Sequence, residues 1–332
     1  MIEKRTVFIL GAGASCPYGF PDARKLRTRI LSDFETQYQQ YLSDNGDQTE
    51  YVRMNRGYPE PNDVRPFLER FDLSGTESID LFLSRNPRFE EIGKMSICLS
   101  ILHAEEACKL REQVEKPELD WYFYLYNRLM REALRPEDSC RFGDNPISFV
   151  TFNYDRSLEY YLFNCLLHSF EGLDEEKAKL ELDRVPVVHV YGKPALPEFG
   201  EDGERQILPF GKDIGNKLSR FDLLSTTRSV HVVHEKRKSL QLEKAREEIR
   251  KADRIFFLGF GYADENLEVL GIPDGLRAEH DIYGTAMDWT PKEIDNIRSH
   301  FVAGLNRAGN TYGRDQVQIR DCDCVSLLRE FL

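Results

Sequence analysis

The chain has 332 residues, 41% of them hydrophobic and 11% aromatic, enough apolar material for one large domain or a core with a sizeable insertion. Its formal net charge is −12 and its densest basic run is Lys236-Arg237-Lys238, so we expect no direct nucleic-acid contact. We also expect no membrane association and a cytoplasmic location, because there is neither a long apolar stretch nor a signal-peptide pattern. The seven cysteines indicate reduced thiols rather than a disulfide framework.

The first half of the chain begins with one strand and continues with helical patterns. Thr6–Leu10 is a β-branched and aromatic run that ends at a glycine, which predicts a buried strand. From Leu26 onwards, apolar residues recur every fourth position, which predicts a helix, and the polar stretch 44–66 predicts a loop. Further helical patterns lie at 79–83, 89–110 and 119–134. We therefore predict a mostly helical insertion over residues 25–145.

Strand patterns return in the second half, with helical patterns between several of them. They lie at 147–152, 185–191, 230–233, 254–259, 281–284 and 317–319. Near-continuous apolar strands that alternate with helices are typical of a parallel sheet covered on both faces. The sequence therefore predicts an α/β core formed by residues 1–24 and 146–332.

A glycine-rich turn, Gly11-Ala12-Gly13-Ala14-Ser15, directly follows the first strand. Glycines allow a tight turn and let a phosphate approach the backbone N–H groups. In open α/β sheets the ligand binds at the carboxyl ends of the strands, where this turn lies. However, Cys16 replaces the third glycine of the dehydrogenase fingerprint. The turn favours nucleotide binding, and a βα turn without a ligand is the alternative.

Four more motifs lie at strand ends or just after this turn. They are Gly19-Phe20-Pro21-Asp22-Ala23-Arg24, Thr151-Phe152-Asn153-Tyr154-Asp155, His189-Val190-Tyr191-Gly192 and Leu258-Gly259-Phe260-Gly261-Tyr262-Ala263-Asp264-Glu265-Asn266. In order and placement the set resembles the sirtuins, which carry GAG-x-S, GIPDFR, TQN-x-D, a His-Gly pair and a GTS turn. The resemblance implies a Rossmann-like sheet, with the helical insertion where sirtuins carry their smaller domain.

One departure from the sirtuin pattern and one closer similarity narrow the resemblance to one subfamily. The chain has no Cys-x-x-Cys pair, so we expect no zinc site of the kind found in deacetylating sirtuins. Along its whole length, including Ser78-Ile79-Asp80-Leu81-Phe82-Leu83, the chain is most similar to the sirtuin-like NAD⁺ hydrolases of bacterial anti-phage defence, especially the partners of HerA-type ATPases. This resemblance implies cleavage of NAD⁺ as substrate into nicotinamide and ADP-ribose, a homo-oligomer and a ring ATPase partner.

The resemblance also assigns catalytic roles. Asn153 corresponds to the sirtuin catalytic asparagine, and its amide can position a water or the ribose hydroxyls. Asp155 could stabilise positive charge or orient Asn153, or it could cap the next helix. His189 is the natural general base near neutral pH, or else a core histidine. Tyr191 is the second candidate for the base, since it occupies the glycine-adjacent position where sirtuins carry histidine.

Further residues are assigned to binding of the nucleotide. Asp22 and Arg24 match the segment that covers nicotinamide, with a helix cap or a loop ion pair as the alternative. Ser15 could bond a phosphate or cap a turn, Gly259 could admit a phosphate or ribose, and Asp264 could reach a ribose or cap a helix. The cofactor-binding candidates are Gly11, Ala12, Gly13, Ser15, Asp22, Arg24, Tyr191, Gly259 and Asp264.

Two other functions remain open at this point. Deacylation or ADP-ribosyl transfer would use the same intermediate, although the missing zinc cysteines count against deacylation. The chain could instead be a non-catalytic nucleotide-sensing subunit that regulates a partner ATPase or nuclease. The aromatic run 121–126 is also too apolar for one face of a helix, so we expect it to be buried on both sides or to contact another subunit.

Overall fold

A six-stranded, all-parallel sheet organises the chain in the computed structural model. The structure describes residues 2–44, 61–107, 110, 116–131, 140–195, 208, 210–211, 220–232, 240–309 and 314–332. The strands are β1 (Thr6–Leu10), β2 (Ile147–Thr151), β3 (Val187–His189), β4 (Arg254–Leu258), β5 (Asp281–Thr285) and β6 (Val317–Arg320). Their order across the sheet is β3-β2-β1-β4-β5-β6.

This strand order is that of a Rossmann-like fold, in which the direction of winding reverses between β1 and β4. All five residues of β1 and of β2 are buried, as expected for strands covered on both faces. The predicted α/β fold is therefore confirmed. Its reversal point marks the edge of the sheet where ligands bind in folds of this kind.

Twelve helices are present within the described part of the chain. They are α1 (Ala23–Asp44), α2 (Pro61–Leu73), α3 (Ile79–Arg85), α4 (Glu90–Ala107), α5 (Trp121–Met130), α6 (Ser157–Ser169), α7 (Glu175–Asp183), α8 (Arg220–Arg228), α9 (Leu240–Lys251), α10 (Asp264–Leu270), α11 (Pro291–Arg307) and α12 (Cys324–Phe331). In the ranges that the structure describes, no helix is long and apolar enough to span a bilayer.

The helices cover both faces of the sheet, as predicted. On one face, Val7, Ile9 and Phe257 pack in a core with α1, α9, α10 and α11. On the other face, Phe8 stacks between the neighbouring strands, with ring centroids 5.3 Å from Phe149 and 5.4 Å from Phe256. Helices α5, α6, α7 and α12 complete this second core.

The segment 25–145 is helical, with no strand among its described residues. Helices α1 to α4 share the first core, whereas α5 packs in the second core against the sheet. The aromatic run at the start of α5 is therefore mostly buried within this chain, and only Phe123, at 60% exposure, is strongly exposed. The division of the chain into a core and an insertion stays a prediction.

The predicted strand at 230–233 is wrong, and its last residue lies outside the described ranges. Val230 forms only an isolated antiparallel bridge with Gly192, in the loop that follows β3. Val230 and Val232 are fully buried. Their apolar character serves packing of this loop against the core rather than a place in the sheet.

Candidate functional site

The predicted motifs meet at the carboxyl edge of the sheet. Residues 11–15 follow β1, residues 152–155 follow β2, residues 190–192 follow β3 and residues 259–262 follow β4. In a parallel sheet these four loops share one edge, which brings together residues far apart in sequence. The contacts between Ser15, Asn153 and His189 described below all lie here.

The loops after β1 and β4 are in direct backbone contact. Gly11 N donates to Leu258 O and Gly13 N donates to Gly259 O, both at 3.0 Å. A Cβ on Gly11 would lie 2.5 Å from Gly259 O, and one on Gly259, whose φ is +55°, would lie 2.0 Å from Ala14 N. The glycines therefore let two backbones pack together, a use that the sequence reasoning did not foresee.

Backbone hydrogen bonds within the protein occupy most of the N–H groups of the glycine turn. Besides Gly11 and Gly13, Ala14 N donates to Gly11 O at 2.9 Å and Ser15 N donates to Ala12 O at 3.1 Å. A phosphate bound here would compete with these internal bonds. Phosphate binding by the turn remains a prediction.

Asn153 is held by three hydrogen bonds but keeps one buried atom without a partner. Its side-chain Nδ2 donates to Ser15 Oγ at 2.8 Å, and its main-chain N donates to Thr151 Oγ1 at 3.0 Å. Its main-chain carbonyl oxygen lies 3.1 Å from His189 Nδ1. Asn153 is 8% exposed, and its Oδ1 has no hydrogen-bond partner in the described structure. A buried acceptor left in this way typically costs ~1–3 kcal/mol, which a bound donor would recover.

Asp155 accepts hydrogen bonds at the amino end of α6, where it directly precedes the N-cap residue Arg156. Its Oδ1 accepts from Ser157 N at 3.0 Å and from the Ser157 hydroxyl. Burial raises the pKa of Asp155 above its usual value, although the Ser157 and Ser15 hydroxyls act in the opposite direction. The Ser15 hydroxyl thus interacts with Asp155, and Ser15 Oγ accepts from Asn153 Nδ2. In this arrangement the amide oxygen of Asn153 is the atom without a partner.

His189 is buried, and both of its ring nitrogens are occupied. Nδ1 faces the Asn153 carbonyl oxygen, and Nε2 lies 2.7 Å from Glu159 Oε1, which also accepts from Lys193 Nζ at 2.7 Å. A carbonyl and a carboxylate only accept hydrogen bonds, so both contacts are satisfied together only when each ring nitrogen carries a proton. In this arrangement His189 has no lone pair available for a substrate proton.

Glu159 completes this group, and sequence reasoning missed it. Burial alone would raise the pKa of Glu159, but the neighbouring His189 and Lys193 cations outweigh burial and hold it well below its usual range. Glu159 lies in the first turn of α6, where a carboxylate is favoured by the helix dipole. That position was the only signal available, and it is shared by many structural glutamates.

Tyr191 lies in an aromatic cluster, and its predicted roles as base or binding residue stay predictions. Its hydroxyl donates to Asn266 Oδ1 at 2.9 Å. Burial, with help from Asp80 and Glu265, raises the pKa of this phenol above its usual value. Phe152 packs edge-on to Tyr191 with ring centroids 5.4 Å apart.

Three of the predicted binding residues form no hydrogen bond with Asn153 in the described structure. Asp22 Oδ1 accepts from Lys25 N at 2.8 Å, so Asp22 caps α1. Arg24 forms an exposed ion pair with Glu77 at 2.8 Å, and Asp264 is an exposed first residue of α10. The cap and ion-pair alternatives describe Asp22 and Arg24 in this structure, and a role for any of the three toward a nucleotide stays a prediction.

Helix α5 contacts the residues around the site, which sequence reasoning also missed. Trp121 Nε1 donates to Ala14 O at 2.8 Å, next to Ser15. The Tyr122 hydroxyl lies 2.7 Å from Ser157 Oγ, and the Tyr122 ring stacks on Tyr18 with centroids 3.9 Å apart. The aromatic run thus contacts both the glycine turn and the amino end of α6.

Within the described ranges, no group of three or more histidine, cysteine or acidic side chains is placed to hold a metal ion. No family model matches the chain, and no curated protein matches it at a significant level. The fold and the site define a Rossmann-like α/β protein with a polar cluster at the carboxyl edge of its sheet. The resemblance to sirtuin-like hydrolases stays an expectation drawn from the motifs.

The contact between the loops after β1 and β4 makes a direct prediction. Gly259→Ala should lower the free energy of unfolding by about 2 kcal/mol or more, because alanine would adopt a left-handed conformation and collide with Ala14 N. Gly261→Ala is the matched control, since a Cβ there meets no atom within 4 Å. It should change the free energy of unfolding by less than ~0.5 kcal/mol. Urea denaturation measures both, and equal effects would contradict the packing role of Gly259.

Proposed function

We propose that this chain is an NAD⁺ glycohydrolase, which hydrolyses the nicotinamide–ribose bond to give nicotinamide and ADP-ribose. The observation that carries the proposal is Asn153 Oδ1, a buried acceptor without a partner in the described structure, next to the glycine turn. Its place at the carboxyl edge, near the reversal of the strand order, is where nucleotides bind in such folds. The identity of the nucleotide rests on the resemblance of the motifs.

The orientation of the Asn153 amide defines what it can bind. Nδ2 already donates to Ser15, and the buried atom left without a partner is the oxygen Oδ1, which accepts a hydrogen bond from an O–H group. A ribose hydroxyl and the attacking water are the two such groups in this reaction. Either contact would hold the reacting atoms in place, and positioning of this kind accounts for much of the rate acceleration in enzymes.

The bond changes require little acid–base assistance. The water oxygen forms a bond to the ribose C1′ while the C1′–N bond breaks, and its electron pair returns to the pyridine nitrogen, so nicotinamide leaves as a neutral molecule. The positive charge that develops on the ribose makes it a strong electrophile. The water then releases a proton. That proton passes to solvent, because His189 with both ring nitrogens protonated cannot accept it; in the observed arrangement His189 contributes by holding the Asn153 carbonyl.

The lack of a free base at His189 or Tyr191 favours a second candidate function. In the observed arrangement both ring nitrogens of His189 are occupied, and the Tyr191 phenol keeps its proton because burial raises its pKa. A nucleotide-sensing subunit without catalytic activity needs a binding site but no base. Such a protein would bind NAD⁺ and leave it intact, which separates the two candidates.

The biological setting is proposed from the resemblance alone. We propose an anti-phage effector that depletes NAD⁺ as a homo-oligomer docked on a HerA-type ring ATPase. The net charge of −12 favours contact with DNA through the partner rather than through this chain. Light scattering of the isolated chain and co-purification with the ATPase test the two parts of the assembly separately.

The role of Asn153 is tested by substitution. Asn153→Ala removes the orphaned acceptor and should lower NAD⁺ cleavage by about 10²-fold or more, as loss of a positioned polar group in an active site typically does. Asn127→Ala is the control, because Asn127 is exposed on α5 and its side-chain amide donates to Phe123 O within the same helix. Nicotinamide release measured by chromatography decides the matter. Full activity in a folded Asn153→Ala protein would overturn the assignment.

Substitutions of His189 and Tyr191 separate the two candidates for the catalytic role. His189→Ala removes the contact that holds the Asn153 carbonyl and should lower turnover about 10²-fold, the cost typical of misplacing a reacting group by ~1 Å. Tyr191→Phe loses one hydrogen bond to Asn266 and should retain more activity than His189→Ala. The opposite ranking would place the critical group at the glycine-adjacent position instead.

A further inference from the structure

We infer that Glu159 is a positioning residue for Asn153, acting through His189. This inference rests on the proposed hydrolysis of NAD⁺, because Asn153 is the group whose placement it would control. No motif in the sequence marked Glu159. Its contacts single it out.

Four residues form one connected network of charges and hydrogen bonds, namely Lys193, Glu159, His189 and Asn153. Lys193 Nζ and His189 Nε2 each lie 2.7 Å from the same oxygen, Glu159 Oε1. On its other side His189 Nδ1 reaches the Asn153 carbonyl oxygen at 3.1 Å. This network connects the start of α6 to the end of β3 and to the loop that carries Asn153.

Burial makes this arrangement specific. The His189 side chain is 6% exposed and that of Glu159 is 17% exposed, whereas Lys193 reaches solvent at 38%. A buried hydrogen-bonding group needs a fixed partner, and removing that partner leaves the group unsatisfied. The contact between Glu159 and His189 is therefore the more buried part of the network. Solvent can replace the contact that Lys193 makes with Glu159.

Loss of the carboxylate should act on geometry rather than on nucleotide binding. Without an acceptor at Nε2, the His189 ring can rotate, and the bond to the Asn153 carbonyl weakens. Ser15 and Thr151 still hold the amide and the main-chain N of Asn153, so the loop stays folded. A shift of ~1 Å in a reacting group is enough to cost up to 10²-fold in rate.

Two substitutions of Glu159 test the inference. Glu159→Met keeps the length of the side chain but cannot accept a hydrogen bond, and it should lower kcat about 10-fold or more while KM for NAD⁺ changes less than ~3-fold. Glu159→Gln keeps an acceptor for Nε2 and should retain kcat within ~3-fold of the unmodified chain. The second variant also covers the case in which Glu159→Met fails to fold.

Glu181→Met provides the matched control. Glu181 is a half-buried glutamate on α7 that accepts from Gly143 N at 2.8 Å, just before β2 and so at the opposite edge of the sheet. Its substitution should leave kcat unchanged. In a His189→Ala background, Glu159→Met should add less than ~2-fold, since it acts through a side chain that is no longer present.

The outcomes distinguish this inference from the proposed function. If the unmodified chain does not cleave NAD⁺, the proposed function fails. If it cleaves NAD⁺ and Glu159→Met retains its kcat, the positioning role of Glu159 is contradicted. Equal losses in Glu159→Gln and Glu159→Met would also contradict it, as would additive losses in the His189→Ala background. Either result would mean that Glu159 does not act through its hydrogen bond to His189.

Discussion

The site depends on one steric constraint, the close approach of the backbones that follow β1 and β4. Gly11, Gly13 and Gly259 leave no room there for a Cβ, and Gly259 adopts a left-handed conformation. This contact places Ser15 under the carboxyl end of β2, within 2.8 Å of Asn153 Nδ2. The glycine turn thus sets the orientation of the Asn153 amide as well as the path of the loop.

Two carboxylates, the buried Asp155 and the partly buried Glu159, then support Asn153 from different sides, and their surroundings shift their pKa values in opposite directions. Burial dominates at Asp155 and raises its pKa, although the Ser157 and Ser15 hydroxyls oppose this. At Glu159, two cations outweigh burial and hold the pKa low. Asp155 acts through Ser15 on the side-chain amide, whereas Glu159 acts through His189 on the main-chain carbonyl. The amide oxygen lies between these two supports as the one buried acceptor of Asn153 still available to a substrate.

The fold and the strand-end motifs were predictable because they depend on local patterns. Apolar runs such as Thr6–Leu10 report burial on both faces, and polar residues that end them fall at one edge of a parallel sheet. The apolar run at 230–233 misled for the same reason, because burial against a loop leaves the same pattern as a strand. Glu159 and Trp121 were missed because their partners, His189 and Ala14, lie 30 and 107 residues away in the sequence. Only the folded chain shows these pairs.

The central claim is that a nucleotide bound at this edge is cleaved, and incubation of the purified chain with NAD⁺ tests it most directly. Chromatography of the products reports nicotinamide and ADP-ribose separately from intact NAD⁺, and calorimetry under the same conditions reports binding. The account predicts equimolar nicotinamide and ADP-ribose that increase with time. Saturable binding of NAD⁺ without either product, both for the chain alone and in the presence of its partner ATPase, would contradict it and favour a nucleotide sensor.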